Sequence, residues 1–174
     1  MKVAIVIGHH KLSKGAFSKY FGLKEYDFYN KYLNELKKYG DVFFHNYLLR
    51  GYNARQRSMA RKTLGYDLVF ELHFNSLDGD TSGCEALYYY RNKDTLKLSK
   101  VFCETYTNLT GTRNRGAKPL VSDAQRGFGF VYNQKPPAIL LEPFFGDNIE
   151  DCKAFDINIF LRALDATINE FKTL

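Results

Sequence analysis

The chain has no tryptophan, only four prolines and only three cysteines among its 174 residues. An odd count, with Cys84, Cys103 and Cys152 too far apart for a Cys-x-x-Cys pair, argues against a disulfide framework and against a cysteine-type zinc site. The three read as packing or surface thiols. Long apolar runs are also missing. The most apolar stretches, residues 3–7 and 138–141, fall far short of the roughly 20 residues a membrane-spanning helix needs. Met1-Lys2-Val3 runs straight into the first of these stretches and then Gly8-His9, without the longer apolar segment and small-residue cleavage site of a secretory signal. The expectation is synthesis in the cytoplasm, with any role beyond the membrane depending on release by another agent. Internal repeats, low-complexity tracts and Pro/Gly/Ser-rich linkers are absent too, which leaves one domain over residues 1–174.

What is present is ordinary for a globular protein: 45% apolar and 25% charged residues, a balance that excludes a disordered chain. Lys and Arg exceed Asp and Glu by 25 to 19, a net charge of +6. That implies attraction to something anionic: a nucleic acid, a teichoic-type polymer or an acidic membrane face. A basic nucleic-acid-binding module has this charge and the Arg/Lys-rich loop in its favour. It lacks a helix-turn-helix, an RNA-binding signature and a basic stripe, so no nucleic-acid partner is expected.

Strands and helices alternate along the chain. Residues 2–7 form a short β-branched run ending at Gly8, a buried strand. Tyr26, Tyr29, Leu33 and Leu36 recur in steps of 3, 4 and 3, which predicts a helix over 24–38 ended by Gly40. Residues 42–44 read as a strand, and Asn53 as the cap of a helix over 54–64 closed by Gly65. Strands follow at 67–73 and 85–90, then a helix over 94–108. Residues 110–136, rich in Gly, Asn, Arg and Lys, read as a loop. Residues 137–141 form a buried strand ending at Glu142, and Asp156 caps a last helix with Phe160, Leu164, Ile168 and Phe171 on one face. This order predicts an α/β, single-domain, three-layer sandwich, with a twisted, mostly parallel sheet of about six strands between helices. In such sheets the working site lies at the carboxyl ends of the strands.

Four ionisable residues fall where a core does not want them: His9 after the first strand, Glu25 opening the first long helix, His73 closing the strand 67–73, and Glu142 closing the strand 137–141. Each alone is compatible with a turn histidine or a carboxylate favoured by a helix dipole. Together, two imidazoles and one carboxylate make a common catalytic zinc set, and a second carboxylate nearby can serve as general base.

Val6-Ile-Gly-His9, Gly22-Leu-Lys-Glu25, Asp67-Leu-Val-Phe-Glu-Leu-His-Phe-Asn-Ser76 and Ala138-Ile-Leu-Leu-Glu142 occur in that order. Arg50, Arg57-Ser-Met-Ala60, Gly83-Cys-Glu85 and Asn114-Arg-Gly116 add lesser matches. The set resembles the zinc-dependent N-acetylmuramoyl-L-alanine amidases of the amidase type 3 family, over about residues 3–172. The resemblance implies that His9, Glu25 and His73 bind one Zn2+ and that Glu142 is the catalytic base. It implies a peptidoglycan substrate cut at the amide joining N-acetylmuramic acid to L-alanine, and a mixed central sheet. It suits a phage endolysin or an autolysin acting on the wall after release, with no separate wall-binding domain. The positive charge then serves to hold the enzyme on anionic wall polymers. An alternative keeps the zinc but changes the bond, giving a wall-peptide carboxypeptidase or endopeptidase.

Departures from the family pattern mark further candidates. His10 stands where the family usually has glycine, and reads as an exposed loop residue or a substrate contact. Glu71 replaces a frequent serine. Strand periodicity places it on the face of His73, roughly 6–7 Å along, where it can accept the N–H of a ligand histidine or pair with a cation. Arg113 and Arg115, in the basic loop, and Asn75 are candidate substrate contacts, with Gln125 and Arg126 weaker ones of the same kind. His45 lies in no motif and reads as structural.

Overall fold

The computed structural model describes residues 1–174. In chain order the elements are β1 (Val3–Ile7), β2 (Phe17–Ser18), β3 (Leu23–Lys24), α1 (Glu25–Asn30), α2 (Leu33–Leu36), β4 (Asp41–Phe44), α3 (Tyr52–Lys62), β5 (Leu68–Leu72), β6 (Cys84–Tyr89), α4 (Lys93–Thr110), β7 (Asn114–Leu120), α5 (Phe128–Asn133), β8 (Ala138–Glu142), α6 (Ile149–Ala154) and α7 (Ile157–Phe171). Six strands form one mixed sheet in the order β4-β1-β5-β8-β6-β7, and β2 with β3 makes a small separate hairpin. The strands β4, β1, β5 and β8 run parallel; β6 pairs antiparallel with β8 and parallel with β7.

Alternation along the strands divides the core into two layers. Val3, Ile5, Ile7, Leu68, Phe70, Leu72, Ile139 and Leu141 face one side, where α4 and α7 lie with Phe102, Tyr106, Phe160 and Leu164. Ala4, Val6, Val69, Ala138 and Leu140 face the other, under Met59 of α3 and Phe130 of α5. Central strands buried on both faces read as continuous apolar runs, which is why they were visible in the sequence. The helix α7 carries the expected stripe, and the Asp156 side chain accepts the Asn158 and Ile159 N–H groups at 2.7 and 3.1 Å.

Three expectations need correction. The helix expected over 24–38 is two short ones, α1 and α2, interrupted at Tyr32 (φ −108°, ψ 20°); the Asn30 side chain donates to the Tyr26 carbonyl at 2.6 Å, a local bond that competes with helix continuation. The helix expected over 54–64 begins at Tyr52 with Gly51 at its N-cap, Asn53 lying inside its first turn. The segment 110–136 is not a loop throughout: it contains the edge strand β7 and the short helix α5. Gly116 and Pro119 hid β7, because a strand at a sheet edge needs neither every backbone donor nor a continuous apolar face.

Behind the site the chain is tied down by Asp151, buried in α6. Its Oδ2 accepts the Gly83 N–H at 2.8 Å and the Phe145 N–H at 2.9 Å, joining the entry of β6 to the segment that leaves β8. Replacing it leaves two buried donors unpaired. Asp151→Ala is expected to lower unfolding stability by about 3 kcal/mol in denaturant titration; a loss under about 1 kcal/mol contradicts this role.

Candidate active site

Four strands of one direction end on the same edge of the sheet, and the chain turns there on small residues. After β1, Gly8 donates its N–H to the Leu72 carbonyl at 3.0 Å. A Cβ on Gly8 would lie 2.4 Å from the His73 ring, so only glycine allows the imidazole to sit across the strand end. His9 follows in the left-handed region at φ 64°, the one non-glycine residue of the chain with positive φ. Such backbone costs energy and is kept where the surroundings fix it. Gly15, at φ 82°, packs against the His9 ring and Glu25, where a Cβ would approach both within about 2.6 Å.

Glu25 opens α1 and is 5% exposed. Its Oε1 lies 3.1 Å from His9 Nε2 and its Oε2 lies 3.0 Å from His73 Nδ1. Oε1 also accepts the Ala16 N–H at 2.8 Å, and Oε2 the Phe74 N–H at 3.3 Å. Burial opposes ionisation of this carboxyl, but the hydrogen bonds of His73 and His9 outweigh it and hold the pKa at about 2. The two imidazole rings stand edge to face at 4.8 Å. One donor atom from each of His9, Glu25 and His73 lies within 4.8 Å of the other two, so the structure brings all three together.

Glu71 explains the orientation of His73. Its Oε2 lies 3.5 Å from His73 Nε2, and its Oε1 lies 2.6 Å from Nε2 of His45. Both Glu71 and His45 are buried. Burial again opposes the charge of Glu71, and the His45 and His73 contacts overcome it, keeping the carboxyl ionised well below its ordinary range. A carboxylate thus faces each ring nitrogen of His73, Glu25 Oε2 at Nδ1 and Glu71 Oε2 on the side of Nε2. Flanked by two carboxylates, His73 holds a proton well above its ordinary pKa despite its burial; a divalent cation in the site would take that proton's place. Two imidazole nitrogens and a carboxylate oxygen on one side of an open cleft, with a carboxylate behind one imidazole, fit a catalytic zinc ion.

Glu142, the last residue of β8, lines the same cleft of about 510 Å³. Burial raises its pKa to about 8, with the charge of Glu85 adding to the rise and that of His73 opposing it. Asn75 sits between these two carboxylates: its side-chain amide donates to Glu85 at 2.9 Å and to Glu142 at 3.0 Å.

The weaker sequence candidates fall in different places. His10 lines the cleft with its Nδ1 buried and without a partner, and its backbone pairs with Ser13 in a tight turn. Gln125 and Arg126 line the same cleft. Arg113 is exposed and stands apart from the cleft; its carbonyl accepts the Cys84 N–H at 2.9 Å. Arg115 is engaged with Glu85 at 2.6 Å rather than turned to the cleft. All three cysteines are free and buried.

Sequence reasoning assigned no role to Glu85 and left His45 outside the site. A site at the carboxyl ends of parallel strands gives no place to Glu85, because β6 runs against β8 and its second residue, not its last, faces Glu142. Cleft residues from α3, such as Arg55 and Gln56, carried no spacing signal at all.

The family model described as N-acetylmuramoyl-L-alanine amidase matches residues 3–170. Among solved structures, the catalytic domain of the CD27L endolysin targeting Clostridia difficile is similar at 26% identity and a TM-score of 0.75, over 97% of both chains. The catalytic domain of CwlV, an N-acetylmuramoyl-L-alanine amidase from Bacillus (Paenibacillus) polymyxa var. colistinus, shares the fold at 19% identity and a TM-score of 0.72, over 99% of both chains. An N-acetylmuramoyl-L-alanine amidase from Clostridium difficile 630 shares it at 18% identity and a TM-score of 0.71, over 99% of this chain and 95% of that one. No curated protein matches by sequence. No helix is long and apolar enough to cross a membrane. With the match running nearly from end to end and the mixed six-stranded sheet in common, the chain belongs to the N-acetylmuramoyl-L-alanine amidases, enzymes of peptidoglycan hydrolysis.

Proposed function

We propose that this amidase is zinc-dependent, that it cuts the amide between N-acetylmuramic acid and the L-alanine of the stem peptide, and that it lyses the wall. The observation that carries the reading is the meeting of His9, Glu25 and His73 around one point, on a cleft whose wall holds Glu142. An amide is a poor electrophile and neutral water a poor nucleophile. Zinc, when bound, supplies Lewis acidity toward the carbonyl oxygen and lowers the pKa of water to about 7.

The side chains do the rest. Glu25, ionised and held by two backbone N–H groups, offers an oxygen without having to be ordered on binding. Glu71 fixes the His73 tautomer. Glu142 accepts a proton from the attacking water and delivers it to the leaving amine of L-alanine. A carboxyl with its pKa at about 8 suits both halves of that transfer. Asn75 keeps one Glu142 oxygen engaged and so leaves the other to the water.

Glu142→Gln is expected to keep the fold and the bound zinc, measured by circular dichroism and metal analysis, and to lower kcat by about 100- to 10,000-fold. Mass spectrometry of wall digested by the unaltered enzyme should show intact glycan strands and peptides with a free L-alanine amine. A new free D-alanine or diamino-acid end instead refutes the assigned bond.

The sign of the Glu142 shift sets a pH dependence. Its folded pKa, about 8, lies above its ordinary 4.5, so stability from the protonated form is present below the unfolded value and lost as pH rises through the folded one. A neutral glutamine escapes that loss. With metal removed by chelator, the Tm of Glu142→Gln relative to the unaltered protein should therefore climb between about pH 5 and pH 9. A difference independent of pH means that burial does not raise this carboxyl.

The net charge of +6 supports a second element of the proposal, attachment of this domain to anionic wall polymers. Lysis of intact walls should weaken as salt shortens the screening length from about 10 Å at 0.1 M toward about 3 Å at 1 M, while cleavage of soluble fragments should not. Equal salt dependence of the two assays removes the wall-polymer role.

A further inference from the structure

The reading of Glu142 as base leaves Glu85 unexplained. Glu85 is 8% exposed, and it stands directly opposite Glu142 across the antiparallel β6–β8 pair. Two carboxyl groups at such a position repel whenever both are charged, and burial sharpens the repulsion. A chain selected for stability alone has no use for the pair.

The surroundings show what Glu85 holds. The nitrogen of the Asn75 amide reaches both carboxylates, 2.9 Å to Glu85 Oε1 and 3.0 Å to Glu142 Oε2. The amide oxygen accepts the Ser76 N–H at 2.9 Å, which fixes the amide against a flip. The Asn75 backbone is pinned as well: its N–H donates to the Phe144 carbonyl at 2.9 Å, and its carbonyl accepts the Gly146 N–H at 2.8 Å. On the far side, Arg115 Nε donates to Glu85 Oε2 at 2.6 Å, with its guanidinium 5.0 Å from the centre of the Phe145 ring. The row therefore runs Arg115, Glu85, Asn75, Glu142, each side chain anchored from behind before it touches the next.

We propose that Glu85 is a positioning residue for the amidase reaction: clamped by Arg115, it orients the Asn75 amide, and the amide holds the Glu142 carboxylate in the geometry for proton transfer. The inference rests on the reading of Glu142 as base. It assigns Arg115 and Asn75 to the support of that base, in place of the substrate contact expected of them. Glu85 touches neither substrate nor the reacting water; its effect passes through Asn75.

The test is steady-state kinetics of the zinc-loaded protein on soluble peptidoglycan fragments, with metal content and Tm measured on each variant. Glu85→Gln should lower kcat by about 10- to 100-fold, the scale of a reacting group displaced by about 1 Å, with KM within about twofold and zinc unchanged. Arg115→Met should lower kcat in the same way, and Arg115→Lys should recover most of it. In a Glu142→Gln background, Glu85→Gln should cost nothing further, because the group it positions is gone. A kcat within about twofold of the unaltered enzyme, a loss that follows lost zinc, or a full additional loss in the double variant overturns the proposal. Where Glu85→Gln does not fold, Asn75→Ala and Arg115→Met decide in the same terms. Activity that survives Glu142→Gln sinks the base assignment itself, whereas an inactive Glu142→Gln beside a fully active Glu85→Gln sinks only the positioning role.

Discussion

The site is organised by one buried carboxylate. Glu25 places one oxygen on each of two imidazoles that come from distant strand ends, at 3.1 and 3.0 Å. Without that bridge, His9 and His73 would meet with nothing between them, and a histidine held in the left-handed region at φ 64° would lack a compensating contact. The two backbone N–H groups on the same carboxylate make the arrangement rigid from the protein side. Removing one partner of a buried charged cluster costs more than the cluster contributes, so these residues stand or fall as a unit.

Further carboxylates surround that centre: Glu71 beside His73, Glu142 on the cleft wall, and Glu85 opposite Glu142. Their fates diverge because their neighbours differ. All three are buried, but Glu25 and Glu71 each face two imidazoles and stay ionised, whereas burial, with the charge of Glu85 adding to it, raises the pKa of Glu142 to about 8. Environments that push like groups apart in proton affinity assign them different tasks. In the reading proposed above, the ionised carboxylates hold the cation and orient the imidazoles, and the reluctant one exchanges protons near neutrality.

The sequence exposed the parts of this arrangement that obey one-dimensional rules. His9, His73 and Glu142 each follow or end an apolar run, and strands buried on both faces are easy to read, so convergence at one sheet edge was legible before any coordinates. Glu71 was legible as well, since period two puts it on the face of His73. What escaped was set by pairing direction. Nothing in Cys84-Glu-Ala-Leu-Tyr-Tyr89 announces that β6 runs opposite to β8, and with that reversal it is the beginning of the strand that reaches the site. Arg115 was a candidate from the sequence, but its pairing with Glu85 was not, because β7 runs with β6 and was hidden by its glycine and proline. His45 was invisible for a different reason: its importance lies wholly in a contact with Glu71, 26 residues away.

The reversal also has a mechanistic consequence. In a fully parallel sheet, the strand beside β8 would present its own carboxyl end to the cleft, and its last side chain would compete with Glu142 for the same space. Running β6 the other way brings an early residue there, on a strand whose start is already fixed by the Cys84 N–H on Arg113 and the Gly83 N–H on Asp151. A carboxylate on so firmly held a backbone can support its neighbour without sharing its chemistry. The sheet edge thus gathers His9, His73 and Glu142 from the ends of strands of one direction, and Glu85 reaches Glu142 from the start of a strand that runs the other way.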